Sequence, residues 1–185
     1  MIVLIVGAVG GAGTTTLATT LLRQGVPAMG LDLADGMLAA RMERRVYPLE
    51  QAVFSRGDRL VEIDRIVKNR PALVWTPGCA TDPERVWSFV NDLAKRIPII
   101  ADGGVEPPAG IWGLTNYAFA VSRKDDFVAA WHEQRLRQVY PELHVVTGAL
   151  QAAGNAIAEQ VFAEQLSQRQ APGGQPRILK WLRSQ

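Results

Sequence analysis

Hydrophobic and polar positions along this chain repeat as a short apolar run, a glycine-bearing turn and an amphipathic stretch. Residues 2–6 read Ile-Val-Leu-Ile-Val and stop at glycine, the mark of a parallel strand covered on both faces. No basic stretch precedes that run, and it is far too short for a membrane span, so it reads as a strand rather than a signal peptide. A helix is predicted over residues 15–23 and a second strand over 28–33, after which residues 36–68 are mixed, charged and mostly helical. Residues 72–75 read as a third strand, closed by Pro77-Gly78. The next helix carries the clearest start signal. Asp82 stands as N-cap, Pro83 takes the first helical position where its missing N–H is not needed, and Val86, Phe89, Val90 and Leu93 share one face. Strands over 97–101, 117–121 and 143–146 and helices over 125–137 and 155–168 complete the series.

This alternation predicts an α/β fold, a mostly parallel sheet with helices on both faces. A chain of 185 residues is long enough for one domain with its own core, placed here at residues 1–169. A Gln/Pro/Gly stretch at 170–176 reads as a flexible linker and 177–185 as a separate tail. The net charge of +2 gives no argument for nucleic acid, and no basic stripe is evident. The single cysteine, Cys79, excludes an internal disulfide and a multi-cysteine metal site and is read as a buried thiol. With no apolar stretch of spanning length, a cytoplasmic location is expected. Trp75, Trp87, Trp112 and Trp131 fall in or beside apolar patterns and are expected in the core, and His132 and His144 lack any ligand spacing.

The informative segment lies between the first strand and the first helix. Gly10, Gly11 and Gly13 allow backbone N–H groups to converge on an anion, the helix N-terminus adds its dipole, and the Thr15 hydroxyl is placed to hold a magnesium ion. A tight glycine turn that merely joins strand to helix is the plainer alternative. Asp32 and Asp102, each at the end of a predicted strand, are candidate magnesium ligands beside Thr15, with turn formation as their alternative role.

Gly10-Gly11-Ala12-Gly13-Thr14-Thr15-Thr16 resembles the deviant Walker A motif of the ParA/MinD ATPases, Lys-Gly-Gly-x-Gly-Lys-Thr-Thr. Aligned so, Val9 stands at the signature lysine and Thr14 at the phosphate-binding lysine. The run Gly-Gly-Ala-Gly-Thr-Thr-Thr-Leu-Ala is similar to the CpaE and TadZ branch, associated with pilus assembly and polar placement, which often lacks the second lysine. Leu31-Asp32-Leu33-Ala34 falls where MinD-like proteins carry an Asp-x-Asp switch, with Ala34 replacing the carboxylate that positions the attacking water. Met42-Glu43-Arg44-Arg45-Val46-Tyr47-Pro48 looks like the family segment after that switch. Leu73-Val74-Trp75 resembles its third strand, and residues 98–104 resemble Walker B with Asp102 as the acid. The resemblance covers roughly residues 1–150, and Thr147-Gly148 stands where an Asn-Arg pair usually reads the base.

The resemblance implies ATP or ADP with Mg2+ as ligand, a homodimer, and protein partners in a localisation or secretion machine. Phosphoryl transfer needs cations against the charge growing on the γ-phosphate, and neither Val9 nor Thr14 brings one. Hydrolysis is therefore expected to be negligible, no catalytic residue is assigned, and binding through loop amides is expected to be weak. An enzyme reading, a slow ATPase or small-substrate kinase, would need Arg41, Arg44 or Arg45 to reach the phosphates. A ParA-like nucleic-acid binder would need the basic stripe the sequence lacks.

The tail adds a second surface. On a helix Ile178, Leu179, Trp181 and Leu182 fall within about 160°, with Arg177, Lys180 and Arg183 opposite. A basic, Trp-bearing amphipathic segment is the pattern of an interfacial membrane contact, and it is similar to the membrane-targeting segment of MinD. Packing on the chain's own core and a frayed end are the competing readings.

Overall fold

The computed structural model describes residues 1–24, 27–75 and 82–168, with side chains of the last helix as far as residue 163. Cys79, the linker and the tail fall outside the described residues. Among those described, seven strands form one parallel sheet: β1 (Ile2–Gly7), β2 (Met29–Asp32), β3 (Val46–Pro48), β4 (Ala72–Val74), β5 (Ile99–Asp102), β6 (Tyr117–Val121) and β7 (His144–Val146), in the order β3-β4-β2-β5-β1-β6-β7. The helices are α1 (Thr14–Arg23), α2 (Met37–Arg41), α3 (Leu49–Val53), α4 (Arg59–Asn69), α5 (Pro83–Arg96), α6 (Phe127–Val139) and α7 (Leu150–Gln168), with a 3-10 segment at Ala109–Leu114.

The unbroken apolar run of β1 follows from its central place. Ile2, Leu4 and Val6 pack on the side of α3, α4, α5 and α6, while Val3 and Ile5 pack on the side of α1, α2 and α7, all fully buried. The same alternation along β2 and β5 turns Asp32 and Asp102 toward α1, and the register pairs these two carboxylates on neighbouring strands. Two glycines let α1 sit close. Gly30 of β2 leaves room for Leu22 and Leu38, each 3.2 Å from where a Cβ would stand. Gly154 of α7 lies against Thr20, whose Cγ2 is 2.5 Å from the corresponding point.

The α5 start signal holds, with Pro83 in the first turn and Asp82 accepting from the Arg85 amide at 3.0 Å. Other boundaries move for local reasons. Helix α7 starts at Leu150 rather than 155, because Gly154 is tolerated inside a helix where it admits Thr20. Helix α6 starts at Phe127, since Asp125 takes a left-handed φ of 62° and Asp126 accepts the Val128 and Ala129 amides. β3 lies within the stretch expected to be mostly helical. It is a three-residue edge strand, where Pro48 forfeits no necessary ladder bond. Trp75 and Trp87 stack at 5.3 Å between ring centroids and Trp112 lies against Tyr140, all beside the core. Trp131 corrects the expectation of a core residue. It is 49% exposed on α6, beneath the Arg135 guanidinium and beside His132.

Candidate functional site

The site forms where β1 ends. The Gly7 amide donates to the Gly104 carbonyl at 2.7 Å and the Ala8 amide to the Val121 carbonyl at 2.9 Å, so the chain is held to both neighbouring strands as it leaves the sheet. It then reverses into α1 through Gly11 (φ 68°) and Gly13 (φ 107°), left-handed conformations that a side chain would strain. Gly13 is the N-cap and has no side chain to satisfy the first-turn amides, so the N–H groups of Gly13, Thr14, Thr15 and Thr16 remain for an outside acceptor. A Cβ on Gly13 would stand 2.5 Å from Leu150 Cδ1, which presses the loop from the α7 side. Arg123, just after β6, closes the other side by donating to the Gly11 carbonyl at 3.0 Å.

The loop borders an open cleft of about 570 Å³. Gly10, Gly11, Gly13, Thr14, Thr15 and Thr16 line it together with Val9, and Ala12 turns away to pack against the core. Opposite stand Ala34, Asp35, Met37, Arg41, Gly104 and Val105. The sequence pattern already points to Ala34, Arg41 and the Asp102-Gly103-Gly104 turn, in which Gly104 takes a φ of 61°, whereas Met37 and Val105 carry no local signal for a cleft.

The two carboxylates differ. Asp32 is fully buried and spends both oxygens on backbone, Oδ1 accepting from Ala34 N–H at 3.1 Å and Oδ2 from Leu38 N–H at 2.9 Å. It fixes the turn into α2, so the turn-forming role has direct geometric support. Asp102 is also fully buried; its Oδ1 accepts from Gly104 N–H at 3.3 Å while Oδ2 has no hydrogen-bond partner. Burial pushes this carboxyl above its ordinary range and the Asp32 charge adds to that, while the hydroxyls of Thr15 and Thr14 and the Gly104 amide pull it back. An orphaned buried oxygen beside a threonine hydroxyl fits a hard cation. Among the described residues no group of three or more His, Cys, Asp or Glu gathers to cage a metal. Thr15 and Asp102 thus suit magnesium that keeps most of its waters and shares a ligand's phosphates.

No protein-family model matches this chain. No curated protein matches it either. Among solved structures, the kinase domain of Escherichia coli tyrosine kinase ETK superposes with a TM-score of 0.53, at 12% sequence identity, over 80% of this chain and 67% of that one. At this identity the likeness is one of fold. Together with the parallel sheet and the loop between β1 and α1, it makes this an α/β fold of the P-loop NTPase type. Among the described residues no helix is long and apolar enough to cross a membrane.

The raised carboxyl of Asp102 carries a stability consequence. In the unfolded chain it titrates at its ordinary, lower value, so between the two values folding takes up a proton and stability falls as pH rises. Above that window the buried ionised group is a full cost. Asp102→Asn keeps an oxygen for the Gly104 amide and removes the charge. Thermal melts across pH should show the variant melting above wild type at neutral pH, with the difference closing in acid as the native carboxyl protonates. A variant less stable at every pH would contradict this account.

Proposed function

We propose that this chain is a P-loop nucleotide-binding protein of the ParA/MinD type, nearest the MinD/CpaE/TadZ branch. It would act as a switch or scaffold that places a partner machine, such as a pilus or secretion system, with weak or absent hydrolysis. One observation carries the reading: a loop with free first-turn amides and a magnesium-suited Thr15–Asp102 pair opens on a cleft where no lysine lies among the described lining residues. Val9 and Thr14 line that cleft as an isopropyl and a neutral hydroxyl. Ala34 stands against Gly104, placing a methyl where the resemblance implies a water-orienting carboxylate. Amides and magnesium hold a ground-state phosphate, whereas acceleration requires charge that grows stronger in the transition state. Such a site favours binding over turnover.

Magnesium, when bound, would neutralise phosphate charge, and Thr15 and Asp102 would hold it. The presence of Arg41 in the cleft supports one rival, a slow phosphotransferase, because a guanidinium there supplies part of the missing charge. The two readings separate in one assay. Calorimetric titration with Mg·ADP and Mg·ATP should show binding that Thr15→Ala weakens tenfold or more in the presence of magnesium, with phosphate release at background. Robust turnover by wild type, lost in Thr15→Ala, would overturn the scaffold reading.

A homodimer and a membrane contact through Arg177, Ile178, Leu179, Lys180, Trp181, Leu182 and Arg183 extend this proposal. Each basic residue near an anionic surface contributes about 1 kcal/mol, marginal for one tail and sufficient for two on a dimer. The full chain should sediment with anionic liposomes and Trp181→Glu should stay in solution. Equal sedimentation of both would rule out the tail as the contact.

A further inference from the structure

The cleft beside the loop shares two lining residues with a second one. Thr16, Thr19 and Thr20 of α1, Arg23 and Gln24, and Gln151 and Asn155 of α7 line another open space of about 570 Å³. Thr16 and Arg41 border both spaces. Arg41 closes α2, and its Nη1 donates to Thr16 Oγ1 at 2.7 Å, which sets the guanidinium over the first turn of α1 where the free amides lie. Its own carbonyl accepts from Arg23 Nη2 at 2.8 Å, tying the end of α2 to the end of α1.

Charge at this junction is unevenly supplied. Among the described residues lining the loop cleft, Arg41 is the cation and Asp35 the carboxylate. Asp102, buried with one unpartnered oxygen beside the Thr14 and Thr15 hydroxyls, adds a second carboxyl close to the loop. Arg123 meets the loop from behind through the Gly11 carbonyl and borders neither cleft. Arg44 is spent on the Arg70 carbonyl at 3.3 Å.

From this arrangement we infer that Arg41 is the phosphate-binding cation of the site. Reaching in from α2, it takes the place of a lysine within the loop, and it joins the two clefts into a single site for a nucleoside di- or triphosphate. The inference rests on the nucleotide-binding reading above and names the residue that makes such binding workable. A guanidinium offers five N–H donors, so the bond to Thr16 leaves donors for phosphate oxygens. The threonine, glutamine and asparagine side chains of the second cleft supply neutral hydrogen-bond partners for the remainder of the ligand. Helix α2 is set by the Asp32 carboxylate through the Leu38 amide, so the cation arrives on a fixed segment rather than a loose loop.

The test is calorimetric titration of the full chain with Mg·ADP and, separately, with magnesium pyrophosphate. Wild type is compared with Arg41→Gln, Arg41→Lys and Arg44→Ala, each checked for an unchanged melting temperature. Arg41→Gln should weaken both ligands at least tenfold and flatten the dependence of affinity on salt. Arg41→Lys should restore most of the loss, and Arg44→Ala, which removes the same charge elsewhere, should stay within about twofold of wild type. If Arg41→Gln and Arg44→Ala bind alike, Arg41 is not the cation, although the nucleotide reading survives. If wild type binds neither ligand, the nucleotide reading itself fails and this inference with it.

Discussion

The carboxyl end of β1 is held to both of its neighbours beyond the point where the strand itself stops. The bonds from Gly7 N–H to the Gly104 carbonyl and from Ala8 N–H to the Val121 carbonyl leave the chain no freedom until Val9. Whatever reverses it into α1 must do so within a few residues. The left-handed Gly11 and Gly13 meet that demand, and a consequence is that the first-turn amides of α1 point together into open space. Strand order contributes too. β1 lies between β5 and β6, so the turn after β5 brings Gly104 and Asp102 to the loop, while the turn after β6 brings Arg123.

A second consequence concerns charge. Buried carboxylates at the ends of adjacent strands repel each other unless something engages them. Asp32 is engaged by two backbone amides, and its cost becomes the structural gain of a fixed α2. Asp102 is only half engaged and is the less comfortable of the two. Discomfort of this kind is what a cation relieves, and the proposed magnesium would do so. The guanidinium of Arg41, bonded to Thr16 Oγ1, lines the cleft beside the loop.

The sheet was legible because its strands are covered on both faces. Ile2–Gly7 has no polar residue to interrupt it, and glycines mark where the backbone must bend sharply. The loop was legible for a related reason, since three glycines and three threonines in seven residues leave few conformational uses. The far wall of the cleft was legible only in part, through Ala34 and Arg41. Asp35 and Arg41 follow β2 and Gly104 follows β5, and the parallel register that sets Asp32 beside Asp102 brings these two segments to one place. Arg123 carries no local pattern at all, and its role as a clasp exists only because β6 pairs with β1. Trp131 shows the opposite failure. Its apolar sequence neighbours point to the core, yet α6 buries Ala129 and Leu136 and leaves Phe127, Val128 and Trp131 outward.

In the proposed function the loop amides would hold phosphate without a lysine of their own. Backbone amide resonances report this directly, because an N–H that gains a phosphate acceptor shifts strongly while its neighbours do not. Titration of the isotope-labelled chain with Mg·ADP should move the amides of Gly11, Gly13, Thr14, Thr15 and Thr16 together, with half-saturation at one common concentration. Shifts that spare these amides and gather elsewhere on the sheet would contradict the account.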